Sequence, residues 1–325
     1  MKGSPRLPTA ARAILAGDRR TLARVISWVE NGSPSAEPVL RALYPRTHGV
    51  PVVGLTGPLG VGKSSLISTL VGLLRARGRS VAVVAVDPSS PFSGGSVLGD
   101  RIRLERRPDD AGVFFRSMAS RGAAGGVATA TLEVCRLLDA AGFDVVLVET
   151  VGSGQVDVAI REIATTSIVV LVPHLGDEVQ TLKAGLFEIA DIFCVNKSDL
   201  PGADVARRDL ADLVAHGPYE GGWTPAIVST STTAATGTEE LWSAVEAHEA
   251  FLDRTGGRRA GERRRLAAEI VGLVRDRVGR ELTGRLERDP ELRRLLDAVT
   301  ARTLDPRSAA RRLRLASPPG PEGRR

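Results

Sequence analysis

Apolar positions change their rhythm twice along this chain of 325 residues. Over residues 6–46 they recur at helical spacing, as in Ala13-Ile14-Leu15 and Leu22-Ala23 with Val25-Ile26, and predict two or three short helices ending near Tyr44-Pro45. From Pro51 the pattern becomes short β-branched runs separated by helical stretches. Strands are expected at Val52–Thr56, Val81–Val86, Gly112–Phe115, Val145–Glu149, Ile168–Val172, Ile192–Val195 and Ala226–Ser229. Strands alternating with helices predict an α/β fold, a mostly parallel sheet with helices on both faces. After about residue 250 the strands cease. Leu266, Ile270, Leu273, Val274, Val278, Leu282 and Leu286 then step by three and four, as one long amphipathic helix requires. A further helix is expected over Glu291–Thr300, and the Pro/Gly-rich end, Ser317–Arg325, is expected to be disordered.

Composition narrows the classes. With 42% hydrophobic and 25% charged residues the chain can bury a core, which excludes disorder throughout. Its longest unbroken apolar stretch before an acid, Val81 to Val86, is far short of a membrane span. No charged segment followed by an apolar one opens the chain, so a cytoplasmic protein with no membrane partner is expected. Cys135 and Cys194 sit in apolar company without metal-type spacing and read as reduced core residues. Residues 256–325 hold 19 arginines against 10 acids. Because the acids interleave with the arginines, this reads as a solvated helical surface, and no nucleic-acid partner is expected. Only Lys2, Lys63, Lys183 and Lys197 are lysines among 44 basic residues, so lysine stands where a compact ammonium is wanted.

Two of those lysines lie in motifs. Gly57-Pro58-Leu59-Gly60-Val61-Gly62-Lys63-Ser64, followed by Ser65, matches the phosphate loop, and it sits between an apolar strand and an amphipathic helix. Its glycines let backbone N–H groups curl around phosphates, Lys63 reaches the β- and γ-phosphates, and the Ser64 hydroxyl suits Mg²⁺. Asn196-Lys197-Ser198-Asp199 follows the strand Ile192–Val195. A carboxylate at Asp199 accepts from guanine N1–H and N2–H₂ together, whereas adenine offers an acceptor there, so GTP rather than ATP is expected as substrate and GDP as product. Lys197 is expected along the base and Asn196 as a tie between the two loops. Ser229-Thr230-Ser231, after the last strand, is placed to offer a backbone donor to the guanine O6. Glu149 at a strand end suits Mg²⁺ or its water shell, and Gly152 can offer its N–H to the γ-phosphate. Asp87 and Asp100 flank a Pro/Ser/Gly-rich stretch of the kind a nucleotide-sensing loop uses. Gln155, three residues beyond Gly152, is the candidate for ordering water, and no catalytic base is assigned. No tightly bound organic cofactor is expected.

The segment Asp87–Arg101, Phe115-Arg116-Ser117-Met118 with Arg121-Gly122, Glu149-Thr150-Val151-Gly152, and Gly176-Asp177-Glu178-Val179-Gln180 with Lys183-Ala184-Gly185 together resemble the MeaB/ArgK-type GTPases, over roughly residues 10–300. The resemblance implies a P-loop NTPase that is a Mg²⁺-dependent, homodimeric GTPase chaperone of a cobalamin-dependent acyl-CoA mutase, gating adenosylcobalamin loading and protecting or reactivating the mutase. It implies a helical extension over 1–48, a GTPase domain over 49–252, a helical dimerisation arm over 253–316 and a tail over 317–325. By position it sets Asp87, Asp100 and Glu149 with Ser64 around Mg²⁺, and places a third switch at about Leu175–Lys183, with Lys183 among its important residues. Ala123-Ala124, where the family commonly has His-Leu, and Ser153 with Val156-Asp157 are departures that leave the particular mutase open. Two other readings stay in view: a metal-insertion GTPase, which would want a His/Cys cluster, and a kinase linked to arginine/ornithine transport, which would need an acceptor pocket and a general base.

Overall fold

A computed structural model describes residues 7–88, 110–120, 124–150, 160–173, 186–217, 219, 222–286 and 288–313. The chain forms two compact units, Met1–Glu269 and Ile270–Arg325. In the first, helices α1 (Thr9–Leu15), α2 (Arg19–Glu30) and α3 (Glu37–Leu43) lead through a 3₁₀ turn at Tyr44–Arg46 into the sheet region. Asp18 starts α2 by accepting from the N–H groups of Arg20 and Thr21, at 2.9 and 3.1 Å, two donors that the helix itself leaves unpaired.

Seven parallel strands follow: β1 (Val52–Thr56), β2 (Val81–Pro88), β3 (Val113–Ser120), β4 (Val145–Thr150), β5 (Thr166–Leu171), β6 (Ile192–Val195) and β7 (Ala226–Ser229). Their order in the sheet is β3-β2-β4-β1-β5-β6-β7. Between them lie α4 (Lys63–Ala76), α5 (Ala124–Ala140), α6 (Leu186–Ile189) and α7 (Ala203–Ala215); α8 (Thr238–Thr255) follows β7. Alternation sorts side chains to the two faces. Val81, Val83, Val145 and Leu147 pack with Leu66, Leu70 and Leu74 of α4 and with Leu241 and Val245 of α8. Ala82, Val84, Val146 and Val148 pack with α2, α5 and α7 on the other face. Both faces are therefore covered, as near-continuous apolar strands require.

Strands β1, β6 and β7 begin and end where the hydrophobic runs do. β3 differs: it continues through Arg116 and Ser117 to Ser120, paired with β2 from Val81↔Val113 to Pro88↔Ser120. Arg116 is accommodated by α2, donating to the Ser27 hydroxyl at 3.0 Å and to the Glu30 carboxylate, so the apolar run understates the strand's length. Gly54 on β1 has a packing role. A Cβ there would come 2.3 Å from Cγ1 of Ile160, in the helical turn at 160–163, so only glycine lets that side chain seat on the central strand.

Helix α9 (Gly257–Leu286) begins nine residues ahead of the first apolar step and runs through the division between the units. The second unit continues with α10 (Pro290–Thr300) and α11 (Pro306–Arg312). Asp289 and Asp305 cap these helices, each followed by proline in the first turn. The hydrophobic pattern does not predict α11; its signal is the Asp305-Pro306 start.

A buried polar cluster lies where β5 and β6 begin. Thr165 and Thr166 both donate to Oε1 of Glu249, each at 2.6 Å, and Glu249 pairs with Arg258 at 2.8 Å. The Thr166 hydroxyl also lies 2.9 Å from Nδ1 of His248. Nε2 of His248 then faces Asp191 at 3.5 Å, and the Trp223 ring closes over it, centroids 4.8 Å apart. Burial lowers the His248 pKa, outweighing the pull of Asp191 and Glu249, and burial raises that of Asp191. A ring with a lowered folded pKa contributes fully above its unfolded value of about 6.5. As pH falls below that value the unfolded chain takes up a proton that the fold refuses, so stability declines until the folded pKa is reached. Asp191 acts oppositely, losing stability as pH rises from the ordinary 3.8 through its raised pKa. Urea midpoints should accordingly drop between pH 7.5 and pH 5.5, and His248→Gln should shrink that drop. An undiminished drop in the variant would place the acid sensitivity elsewhere.

Candidate functional site

The C-terminal end of β1 opens directly into the phosphate loop. Gly57 has φ +138°, and a Cβ on it would lie 2.2 Å from the Val170 carbonyl oxygen of neighbouring β5, so sterics as well as backbone angle demand glycine. Gly62, at φ +93°, is the N-cap of α4 and supplies no side-chain acceptor, which leaves the first N–H groups of the helix for an anion. Lys63 is buried, and its Nζ donates to the carbonyls of Gly57 at 2.6 Å and Pro58 at 2.9 Å. The ammonium is thus held within the loop, where incoming phosphate oxygens can replace those carbonyls as acceptors.

Ser64, in the first turn of α4, donates from Oγ to Oε1 of Glu149 at 2.6 Å. Glu149 is one residue from the end of β4, opposite Leu55, and is 6% exposed. A hydroxyl and a carboxylate brought together at the phosphate loop form the hard oxygen set that Mg²⁺ takes, and these residues fit that ion. Glutamate, one methylene longer than aspartate, spans the gap from strand to helix directly.

The second loop is bound to the first. Asn196, fully buried, donates from Nδ2 to the Val61 carbonyl at 2.8 Å, and a Cβ on Gly62 would approach that nitrogen to 2.6 Å. Thr230 donates to Oδ1 of the same amide at 3.0 Å, fixing which way it faces. Because the hydroxyl has one proton, the 3.2 Å contact between Thr230 Oγ1 and Cys194 Sγ is donated by the thiol, whose pKa burial pushes up to about 12. Lys197 takes a left-handed backbone, φ +56°, and its Nζ donates to the Gly60 carbonyl at 2.9 Å. Asp199 is exposed, and Oγ of Ser231 donates to its Oδ1 at 2.5 Å. Ser229 ends β7 and is half-buried.

The structure therefore gathers Lys63, Ser64 and Glu149 on one side and Asn196, Lys197, Asp199, Thr230 and Ser231 on the other, with the phosphate loop between. Thr230 turns its hydroxyl inward to Asn196, and the backbone N–H groups of Thr230 and Ser231 donate to the carbonyls of Val195 at 2.9 Å and Thr236 at 3.1 Å, so neither is the free donor expected for the guanine O6. Asp87 lies on β2 opposite Ala119, its side chain outside the description; Asp100, Gly152, Gln155 and Lys183 lie outside the described residues. The pattern of residues alone does not single out Cys194, nor the threonines Thr56 and Thr150, whose hydroxyls meet at 2.9 Å beside Glu149.

A parallel sheet with a phosphate loop at the end of its central strand, tied to an Asn-Lys-Ser-Asp loop, defines a P-loop NTPase of the GTPase class. The family model described as "Methylmalonyl Co-A mutase-associated GTPase MeaB" matches residues 22–287, and the chain belongs to this family. A putative GTPase of Pyrococcus abyssi is 46% identical over 297 residues, covering 90% of this chain and 91% of that protein. A protein of Cupriavidus metallidurans named fused isobutyryl-CoA mutase is 40% identical over 212 residues, 64% of this chain and 19% of its own length. Among solved structures, one described as an LAO/AO transport system kinase superposes with a TM-score of 0.71 at 27% identity, covering 96% of this chain and 97% of that one. The protein is a GTPase, hydrolysing GTP to GDP and phosphate.

The base reading has a direct check. Asp199→Asn should weaken GTP binding by about 2–4 kcal/mol through loss of a charge-assisted contact. The same change should improve binding of xanthosine triphosphate, whose 2-carbonyl accepts from the new amide. Titration of both nucleotides measures this; unchanged GTP affinity would remove Asp199 from base recognition.

Proposed function

We propose that this GTPase is the chaperone of a cobalamin-dependent acyl-CoA mutase of the methylmalonyl-CoA type. In this reading its nucleotide state gates adenosylcobalamin loading and protects or reactivates the mutase. The observation that carries it is the family assignment over residues 22–287, whose description names association with such a mutase. Support comes from the Cupriavidus metallidurans protein, which carries a segment similar to this chain within a polypeptide named as a mutase. Covalent fusion keeps two activities at high effective concentration, which matters for activities that work together.

In this proposal the phosphate loop, Gly57 to Ser65, binds the triphosphate with Lys63 on the β- and γ-phosphates. Ser64, Asp87, Asp100 and Glu149 hold Mg²⁺, which supplies charge neutralisation on the phosphate oxygens. Asp199, which accepts from the Ser231 hydroxyl, receives guanine, Lys197 lies along it, and Asn196, backed by Thr230, keeps the two loops together. Gly152, Gln155 and Lys183 respond to the γ-phosphate and to the partner. Residues 1–48 form an extension, 49–252 the GTPase domain and 253–316 the arm, in a cytoplasmic protein. Among the described residues no helix is long and apolar enough to cross a membrane.

Similarity to a solved protein named as a kinase favours a second reading, phosphoryl transfer to an acceptor other than water. Incubation with γ-labelled GTP separates the two: the chaperone reading requires all label to appear as inorganic phosphate.

The coupling test is single-turnover GTP hydrolysis with and without cobalamin-dependent mutases. The wild type should be stimulated by its cognate mutase. Lys183→Ala should keep nucleotide affinity within about threefold, roughly 0.65 kcal/mol, while losing most of that stimulation. Absence of stimulation by every such mutase would end the chaperone reading; full stimulation of the variant would end only the role given to Lys183.

We propose further that the arm makes a homodimer. Ile270, Val271, Leu273 and Val274 are 61%, 59%, 41% and 45% exposed in the single chain, an apolar run on an otherwise arginine-rich helix. Acids placed at Ile270, Val274 and Val278 should yield monomers by light scattering, whereas a persisting dimer would place the interface elsewhere.

A further inference from the structure

Two buried threonines occupy the ends of the strands that carry the phosphate loop and Glu149. Thr56 and Thr150 are 0% and 1% exposed. The β1–β4 register ends at Leu55↔Glu149, so Thr56 and Thr150 stand next to each other one position further on. Alternation separates the neighbours: Leu55 and Leu147 pack on the α4 face, Val146 and Val148 on the other. Glu149 thus projects toward α4 and reaches Ser64, while Thr150 projects from the opposite face. There its hydroxyl donates to Thr56 Oγ1 at 2.9 Å, with the Leu55 carbonyl at 3.4 Å. Packing does not call for hydroxyls in this position, since valine has the same shape and no polar atom to desolvate.

We propose that Thr150 is a positioning residue for GTP hydrolysis. Its hydroxyl bridge to Thr56 extends the β1–β4 pairing by one side-chain rung, beyond the last backbone pair. The chain turns away from β1 immediately afterwards, at Gly57 with φ +138°. On its outer edge β4 is paired with β2 as far as Val86↔Thr150, but on the edge toward the phosphate loop its pairing without the bridge ends at Glu149 itself, whose Oε1 lies 2.6 Å from Ser64 Oγ. The hydroxyl bridge on one face and the Ser64–Glu149 bond on the other grip the same strand end. Thr150 projects to the face opposite the Ser64–Glu149 pair and acts through Glu149.

The inference rests on reading Ser64 and Glu149 as the magnesium side of the site. The experiment uses the full chain and measures release of fluorescent GDP across a Mg²⁺ titration and in EDTA, together with single-turnover hydrolysis. Thr150→Val should raise the Mg²⁺ concentration for half-maximal retention of GDP by about tenfold, equivalent to 1.4 kcal/mol, and slow hydrolysis by a comparable factor. Release in EDTA should stay within about twofold of wild type, because the contacts to guanine and phosphate are unaltered. Thr150→Ser, which keeps the hydroxyl and loses the methyl, should behave as wild type. Thr56→Val removes the acceptor and should reproduce the rise, so the test stands even where Thr150→Val does not fold. A serine variant that is impaired while the valine variant is normal would show a packing role and overturn the proposal. Wild-type Mg²⁺ dependence in either valine variant that folds would also overturn it. A wild-type protein whose GDP release ignores Mg²⁺ would overturn the magnesium reading itself, a result distinct from the others.

Discussion

Strand β1 has β4 and β5 on its edges and apolar clusters on both faces. In that position its backbone donors and acceptors are matched by neighbours on either side, and from Val53 onward it is buried. Chemistry can begin only where the strand stops, at Thr56. The chain must then clear the Val170 carbonyl, which it does by having no side chain at Gly57. It must also re-enter the protein as α4, whose Leu66, Leu70 and Leu74 cover the face just left. The loop between these two obligations has little freedom, and its N–H groups are preorganised before any phosphate arrives. The strand order divides at β1, with the β4–β2–β3 side and the β5–β6–β7 side leaving a crevice at the carboxyl ends.

That crevice has two walls, and one amide joins them. Asn196 is held from behind by Thr230, and Thr230 by the Cys194 thiol, so its Nδ2 is aimed at Val61 without rotational choice. The phosphate loop and the loop carrying Asp199 are therefore tied through one buried amide. A GTPase read by a second protein needs its nucleotide gripped in one pose while other segments respond.

Much of this is legible in the order of residues. The phosphate loop and the Asn-Lys-Ser-Asp tetrapeptide are contiguous in sequence, and strand–loop–helix context is enough to locate them. Strands buried on both faces announce themselves as apolar runs, which is why β1 and β6 are found to the residue; half-buried β7 is found by its β-branched pair, while β3, with Arg116 and Ser117 inside it, is shortened. What pattern cannot supply is side-chain pairing across the sheet. The Thr56–Thr150 bridge joins residues 94 apart and the His248–Thr166 contact residues 82 apart, and each depends on register between elements. Short helix α11 has too few apolar positions to show a period, and only its Asp-Pro start marks it.

The two cysteines carry a consequence for how this protein can be handled and how it meets oxidants. Cys135 and Cys194 are both buried, with thiols pushed up to about 12. Burial therefore both hides these sulfurs and disfavours the thiolate, the form that alkylating reagents and peroxides attack. A cysteine introduced at an exposed position is thus the favoured target for a thiol-directed dye in the native fold, with both natural cysteines left in place. Removing Cys194 to obtain a conventional cysteine-free background would instead take away the donor behind Thr230 and loosen the aim of Asn196.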